Sequence, residues 1–163
     1  MKDEINLLKF YPKSKRPIDE RGSKITESDR AIARKFDKEY FDGDRLTGYG
    51  GYSYNPKFWT DTVNYIVRHY ALSDSSKILD IGCAKGFMMH DLKKLIPGAE
   101  VLGIDISEYA KSNAIEDMQN YISVGNANNL PYEDDYFDLV IAINTLHNLP
   151  LIDCKQAFKE INR

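Results

Sequence analysis

The residues best suited to chemistry lie in the run KILDIGCAKGF, residues 77–87. A short apolar stretch reaches an acid at Asp80, a loop of small residues follows, and a helical pattern begins directly after it. Gly82 and Gly86 have no Cβ, so the chain can turn tightly there and a small ligand can approach the main chain. The run predicts a cofactor site at the carboxyl end of a strand in an α/β sheet.

A second acid, Asp105, ends the next apolar run about 20 residues further on. Its two oxygens can accept hydrogen bonds from a pair of vicinal hydroxyls, so this spacing predicts a carboxylate that holds a ribose. Ser107 follows where it can cap the next helix. Lys85, inside the glycine loop, is expected to face solvent.

The elements that must position these residues can be read from the apolar patterns. Strands are predicted near residues 77–81, 101–104, 121–124 and 138–143, and a helix from 153 to 163. The run 138–143 is almost continuously apolar, which is typical of a strand buried on both faces. Upstream, apolar residues recur at helical spacing between Thr26 and Tyr40, which predicts one amphipathic helix there. Asn55 and Pro56 form a helix-start pair.

Two stretches resemble one family. The Gly-x-Ala-x-Gly spacing of residues 82–86 resembles the glycine-rich first motif of class I S-adenosylmethionine (SAM)-dependent methyltransferases, with Ala84 in place of the middle glycine. LPYEDDYFDLV, residues 130–140, resembles their "leucine-proline … phenylalanine-aspartate" stretch. With Asp105 and Asn126 in order between them, the resemblance covers roughly Phe58 to the C-terminus and points to type 11/25-like members. It implies SAM as cofactor and S-adenosylhomocysteine as product.

The resemblance also implies which residues contact the cofactor. They follow the ends of the strands: Asp80, Gly82, Cys83, Ala84, Gly86, Asp105, Ile106, Asn126, Ala127 and Asn144. Within this set, Asn126 is expected beside the adenine amino group and Asp80 beside the methionine amino group. No metal site is expected.

Residues 41–52 are rich in glycine and tyrosine, and two interpretations stay open. As a lid, this stretch would place Tyr49 or Tyr52 over the cofactor and exclude water. As a surface loop, it would pack its tyrosines on the core. Trp59, a little further on, is interpreted as a packing residue.

The catalytic candidate is His147, in the run 144–150 after the fourth strand, where the family brings its acceptor to the methyl group. Some members use a base to remove a proton from an oxygen acceptor, and His147 is the histidine in that run. A structural hydrogen bond explains this histidine equally well. The Asn/Asp-Pro-Pro-Tyr/Phe tetrapeptide of nucleobase and glutamine methyltransferases is absent, which argues against methylation of DNA adenine.

The expected fold is a Rossmann-like, doubly wound parallel α/β sheet. Residues 1–55 are predicted to form an N-terminal helical and loop appendage, and residues 56–163 a SAM-binding α/β domain. The family's sheet has seven strands, so this sheet is expected to be truncated after the fourth strand and its helix. A fragment, a fold completed by a second copy through the exposed fourth-strand edge, and a non-catalytic remnant would each explain that.

Composition narrows the function classes. The chain has 163 residues, 42% hydrophobic and 29% charged, enough for one core. A net charge of −3 gives no general attraction to nucleic acid. Two cysteines, Cys83 and Cys154, suggest neither a disulfide framework nor a metal site, so a cytoplasmic location is expected. No apolar run approaches the ~20 residues that span a bilayer, so no membrane partner is expected.

The polar start of the chain, residues 1 to about 25, is expected to lack regular structure. Its small basic cluster, Lys13, Lys15 and Arg16, is interpreted as solvated.

Three functions follow from these patterns. The leading hypothesis is a SAM-dependent methyltransferase that acts on a small-molecule acceptor. The alternative is a non-catalytic or truncated SAM-binding remnant or partner subunit. A NAD-dependent or nucleotide-sugar Rossmann enzyme is a third, which the Gly-x-Ala-x-Gly spacing disfavours.

Overall fold

The structure is a computed structural model that describes residues 4–13 and 22–163. Lys15 and Arg16 lie outside these residues, as does part of the polar start of the chain. Residues 4–13 contain turns and no regular helix or strand.

The described chain alternates strands with helices. The α-helices are α1 (Glu27–Ala33), α2 (Lys38–Phe41), α3 (Pro56–His69), α4 (Phe87–Leu95), α5 (Glu108–Ser112) and α6 (Leu151–Ile161). The strands are β1 (Lys77–Ile81), β2 (Glu100–Asp105), β3 (Ile122–Val124) and β4 (Leu139–Ile141). Two 3₁₀ helices cover Glu116–Tyr121 and Leu146–Asn148.

The four strands form one parallel sheet in the order β3-β2-β1-β4. Asp80 of β1 is in register with Gly103 of β2 on one side and with Ile141 of β4 on the other. The strand order therefore reverses next to β1, and a crevice at such a reversal is where open α/β sheets bind ligands. The predicted strands are all present, although β4 is shorter than expected.

Helices cover both faces of the sheet. Alternate residues of β1 point to opposite sides: Ile78 packs with α3 and α4, whereas Leu79 and Ile81 pack with Ala157 of α6. Because each face buries an apolar layer, the strands are apolar along most of their length. The Rossmann-like, doubly wound fold class predicted from the sequence is confirmed.

The prediction of one continuous helix between Thr26 and Tyr40 is wrong, because two short helices, α1 and α2, cover this stretch. Thr26 and Asp29 form a reciprocal capping box that starts α1, but the helix ends at Ala33. Phe36 then takes a left-handed backbone with φ of 49°, which a helix cannot continue through, and Asp37 caps α2. The hydroxyl of Ser107 donates to the carbonyl of Phe36, so this break is fixed against the start of α5.

Residues 36–54, here called the tyrosine segment, lie over the carboxyl edge of the sheet. The segment then leads into α3, where Asn55 caps the first turn and Pro56 begins the helix, as predicted. The division of the chain into two parts at residue 55 stays a prediction. The tyrosine segment is bonded to α5 and to the loop after β1. None of the described helices is long and apolar enough to cross a membrane.

Candidate active site

A cavity of about 240 Å³ opens where the carboxyl ends of the strands meet the tyrosine segment. Its lining comes both from the sheet edge and from the N-terminal part of the described chain. From the sheet edge and its loops come Asp80, Ile81, Gly82, Cys83, Ala84, Met88, Ile104, Asp105, Ile106, Gly125, Asn126, Ala127, Ile143, Asn144, Thr145, Asn148 and Leu149. From the N-terminal part come Leu8, Tyr11, Phe36, Tyr40, Phe41, Tyr49, Tyr52 and Trp59.

The glycine loop, residues 82–86, borders the cavity through Gly82, Cys83 and Ala84. The N–H of Gly82 donates to the carbonyl of Ile104 at 2.7 Å, which turns the chain sharply off β1 toward β2. Gly82 has a φ of 74°, and a Cβ there would overlap the side chain of Thr145. Glycine is therefore required at this position both by the backbone conformation and by the close approach of the loop after β4.

Asp105 holds this loop as well as facing the cavity. One of its carboxylate oxygens accepts the N–H of Ala84 at 2.7 Å, and the other accepts the N–H of Ser107 at 2.9 Å. Its burial raises its pKa, an effect that the backbone hydrogen bonds oppose. A carboxylate has about four lone-pair sites, so acceptor capacity remains for a ligand hydroxyl.

Asp80 is the electrostatic anomaly of the site. The residue is 4% exposed, and its carboxyl accepts no hydrogen bond from the part of the chain that the structure describes. Its burial, and then the nearby charge of Asp105, raise its pKa to about 8. A buried carboxyl without a partner is costly. A bound ligand that carries a cationic or N–H donor would remove that cost.

Lys85 contradicts the expectation that it faces solvent. Lys85 is only 7% exposed. Its Nζ lies 2.6 Å from Asp42 Oδ2 and 2.9 Å from the carbonyl of Tyr52. The tyrosine segment reaches back over the glycine loop and supplies both acceptors, which sequence spacing of about 40 residues does not reveal. The hydroxyl of Tyr109 also donates to Asp42 Oδ2, at 2.7 Å.

The tyrosine segment forms an aromatic wall. The rings of Tyr49 and Tyr52 lie 4.4 Å apart, and Tyr52 stacks on Phe87 at 4.9 Å. Burial raises the pKa of Tyr49 to about 12 and that of Tyr52 well above its ordinary value, so both hydroxyls stay neutral. These tyrosines pack on one another, as the surface-loop interpretation of residues 41–52 expects. They also line the cavity, as the lid interpretation expects.

Ten of the twelve predicted site residues line the cavity. They are Tyr49, Asp80, Gly82, Cys83, Ala84, Asp105, Ile106, Asn126, Ala127 and Asn144. Gly86 does not. It precedes α4 with a φ of 76°, and a Cβ there would lie 3.1 Å from Ile122 Cδ1 and from Met118 Cβ, so it serves close packing behind the loop. His147 does not line the cavity either; it is exposed on the second 3₁₀ helix.

Several lining residues were missed by sequence reasoning. Leu8, Tyr11 and Phe36 come from the N-terminal part, where no motif marks them. Trp59 lines the cavity as well as packing beside the core, and a lone tryptophan near a predicted lid is the one signal that could have found it. Asn148 and Leu149 follow β4 beside the predicted Asn144.

Fold and site together define a Rossmann-like α/β protein with a cavity at the carboxyl edge of its sheet. The family model described as "Methyltransferase domain" matches residues 79–163, just over half of the chain. The chain therefore belongs to this family, within the class I SAM-dependent methyltransferases.

Comparisons with individual proteins agree with this assignment. The chain is 30% identical over 94 residues to malonyl-[acyl-carrier protein] O-methyltransferase of Geobacter sulfurreducens, a match that covers 55% of this chain and 34% of that protein. It is 32% identical over 103 residues to demethylmenaquinone methyltransferase of Staphylococcus carnosus, covering 60% of this chain and 42% of that one. The chain thus spans well under half of the length of these relatives.

A solved structure shows the same fold. A SAM-bound amino pentose methyltransferase from Micromonospora echinaspora superimposes with a TM-score of 0.54 at 18% identity. The match covers 63% of this chain and 44% of that one.

Proposed function

We propose that this chain binds SAM in the cavity at the carboxyl edge of its sheet and transfers the methyl group to a small-molecule acceptor. The observation that carries the proposal is Asp80, a buried carboxyl with no partner among the described residues, 4% exposed and lining the cavity beside Gly82. SAM carries an ammonium and a sulfonium, so it offers the positive charge that this carboxyl lacks.

The cofactor half of the site follows the strand ends. Asp105 accepts from the ribose hydroxyls, and Asn126 contacts the adenine amino group. Ile106 and Ala127 provide apolar contact for the adenine ring. The glycine loop, through Gly82, Cys83 and Ala84, allows close approach of the main chain, while Asp80 receives the methionine amino group. Asn144 and Tyr49 complete the enclosure.

These residues fit the chemistry that the cofactor supplies, which is an electrophilic methyl group on a positively charged sulfur. The protein then has to orient an acceptor and exclude water. The aromatic wall supports water exclusion, since Tyr52 stacks on Phe87 and Lys85 fixes the segment through Asp42. A lid role for Tyr49 and Tyr52 is part of this proposal.

No base is assigned inside the cavity. Its described titratable residues are Asp80 and Asp105, the Cys83 thiol, whose pKa burial raises well above its ordinary value, and four tyrosines, of which Tyr40, Tyr49 and Tyr52 have pKa values that burial raises. His147 remains the sequence-based candidate, and its exposed ring would have to meet a proton at the rim. A hydroxyl acceptor would therefore have to pass its proton to water or to a group at the rim.

The acceptors named for the two relatives differ in chemistry. One acts on the malonyl-acyl carrier protein and the other on demethylmenaquinone. Because these acceptors differ, the small-molecule acceptor is inferred from the cavity and not from the relatives. Two free thiols, Cys83 and Cys154, favour a cytoplasmic location. The edge of β4 that faces away from β1 favours self-association, which sedimentation can measure.

Calorimetric titration with SAM, S-adenosylhomocysteine and NAD tests the proposal. Binding of SAM and S-adenosylhomocysteine at micromolar concentrations, with no heat from NAD, is the expected result. Binding of NAD alone, or of none of the three to folded protein, would overturn it. Cofactor binding in a protein that methylates no acceptor would favour the non-catalytic alternative.

A further inference from the structure

We propose that the β4 end of the cavity takes a flat, uncharged and largely apolar acceptor, such as an aromatic ring system with a hydroxyl group, and rejects anionic acceptors. The inference rests on the proposed function, because it assigns the cofactor to the other end of the cavity.

The cavity has two ends, set by the strand order. Asp105 and Ile106 follow β2, whereas Ile143, Asn144 and Leu149 follow β4, and β1 lies between these two strands. The proposed ribose contact therefore lies at the β2 end. Space at the β4 end is left for the acceptor.

Ile143 and Leu149 line the β4 end, and the aromatic rings of Tyr11 and Trp59 form a wall of the same cavity. The rings of Tyr11 and Trp59 meet edge to face with centroids 5.1 Å apart. Trp59 and Ile143 pack against the same core cluster, which also contains Met88, so they lie on the same face of the sheet. A flat ring can gain edge-to-face or stacked contacts with such a wall, worth about 0.5–1.5 kcal/mol per aromatic pair.

Charge at the site opposes an anion. Among the described lining residues the charged types are Asp80 and Asp105, and no lysine, arginine or histidine is present. Lys85 directly follows the lining residues of the glycine loop in sequence, but its ammonium is held by Asp42 at 2.6 Å and the residue does not line the cavity. A carboxylate in the acceptor would lose hydration and meet no cationic side chain among the described lining residues, which is costly in a buried site.

Neutral polar groups form the rim. Thr145 directs its hydroxyl to the carbonyl of Ile81 at 2.9 Å, and the Asn148 amide donates to the carbonyl of Asn144 at 3.1 Å. The Asn148 side-chain oxygen can still accept a hydrogen bond, so the rim suits a hydroxyl on an otherwise apolar ring.

The test uses two probes of similar shape and different charge. Protein saturated with S-adenosylhomocysteine is titrated with 2-naphthol, which is neutral at pH 7, and with 2-naphthoate, which is anionic. We expect 2-naphthol to bind at least about tenfold more tightly, a difference of about 1.4 kcal/mol. The variant Trp59→Ala should weaken 2-naphthol about fivefold or more while the affinity for S-adenosylhomocysteine changes less than about twofold.

Trp59 packs against the core, so Trp59→Ala can also affect folding. A second variant therefore adds a charge at the rim and leaves the core unchanged. Asn148 is exposed at the rim, so Asn148→Lys should fold normally and bring a cation to the β4 end. It should shift the preference toward 2-naphthoate by about fivefold or more. Asn120→Lys, at an exposed position that does not line the cavity, is the matched control and should shift nothing.

The outcomes separate the two proposals. Failure of S-adenosylhomocysteine to bind contradicts the proposed function itself. Normal cofactor binding with equal or tighter binding of 2-naphthoate, with neither probe bound, or with no effect of Asn148→Lys, overturns the acceptor assignment alone.

Discussion

The ammonium of Lys85 lies 2.6 Å from a carboxylate oxygen of Asp42, with 9% of the lysine side chain and 28% of the aspartate side chain exposed. This ion pair joins the glycine loop to a residue more than 40 positions earlier in the chain. Asp42 also accepts from the Tyr109 hydroxyl and the Tyr52 N–H, so one carboxylate holds three parts of the site together. The tyrosine segment is thereby fixed over the cavity.

Replacing Lys85 with methionine should loosen the tyrosine segment. The change leaves Asp42 with two neutral donors and leaves the Tyr52 carbonyl without the lysine. We expect a loss of about 1–3 kcal/mol in the free energy of unfolding, and faster amide exchange across residues 42–52. Urea unfolding and hydrogen exchange measure both effects.

The matched control is Arg34→Met. Arg34 pairs with Glu27 at 2.8 Å, but both side chains are about two-thirds exposed. Such a surface pair contributes about 0–1 kcal/mol. Equal losses from both variants would show that burial does not strengthen the Lys85–Asp42 pair.

Binding of SAM should depend on pH through Asp80. Because the pKa of this carboxyl is raised to about 8, the empty site holds a proton at pH 7, and a cationic ligand favours the ionised form. Affinity should rise by up to about tenfold per pH unit from about pH 6 to about pH 8. Calorimetry in buffers of different ionisation enthalpy should detect the released proton.

Without ligand the same group has the opposite effect on stability. The carboxyl of Asp80 has a pKa of about 8 in the folded protein, against an ordinary value of 3.8. Its contribution to the stability of the fold is therefore fully present below pH 3.8 and is lost as the pH rises through about 8. Asp80→Asn should flatten both pH profiles. Profiles that keep their slope in this variant would assign the proton to another group.

Asp105→Ala should weaken S-adenosylhomocysteine binding more than Asn126→Ala. Asp105 is expected to make two charge-assisted bonds, worth about 1.5–3 kcal/mol each, and Asn126 one neutral contact. Asp105→Ala also removes the acceptor of the Ala84 and Ser107 N–H groups, so its melting temperature should fall as well. Equal losses of affinity by calorimetry would contradict the ribose assignment.

Gly82→Ala should destabilise the fold more than Gly51→Ala. Both glycines have positive φ, 74° and 97°, so both variants carry backbone strain of about 1–3 kcal/mol. A Cβ at Gly51 meets nothing within 4 Å, whereas one at Gly82 overlaps the side chain of Thr145. The difference in unfolding free energy therefore reports the contact between the loops after β1 and β4. No difference would mean that Thr145 moves aside freely.

The sheet and much of the cavity edge could be predicted from local sequence. The apolar runs that become β1 and β2, the acids that end them and the Ser107 cap are each signalled by neighbours in the chain. Because the strands are parallel, their carboxyl ends meet at one edge of the sheet, whatever conformation the connecting loops adopt.

What could not be predicted depends on contacts between distant residues. The ion pair of Lys85 requires the tyrosine segment to fold back over the loop, and the break at Phe36 is fixed by a hydrogen bond from Ser107, 71 residues later. Trp59 is predicted as a packing residue, and Tyr11 lies in a stretch expected to lack regular structure, yet tertiary packing brings both to the cavity. Local patterns carry no information on such pairings.

The location of S-adenosylhomocysteine in a crystal of the protein tests the assignment of this site most directly. The ligand should lie at the carboxyl edge of the sheet, with its ribose on Asp105, its adenine beside Asn126 and its amino group within hydrogen-bond distance of Asp80. Density for the ligand at another surface, or a bound ligand with Asp80 still lacking a partner, would contradict the assignment.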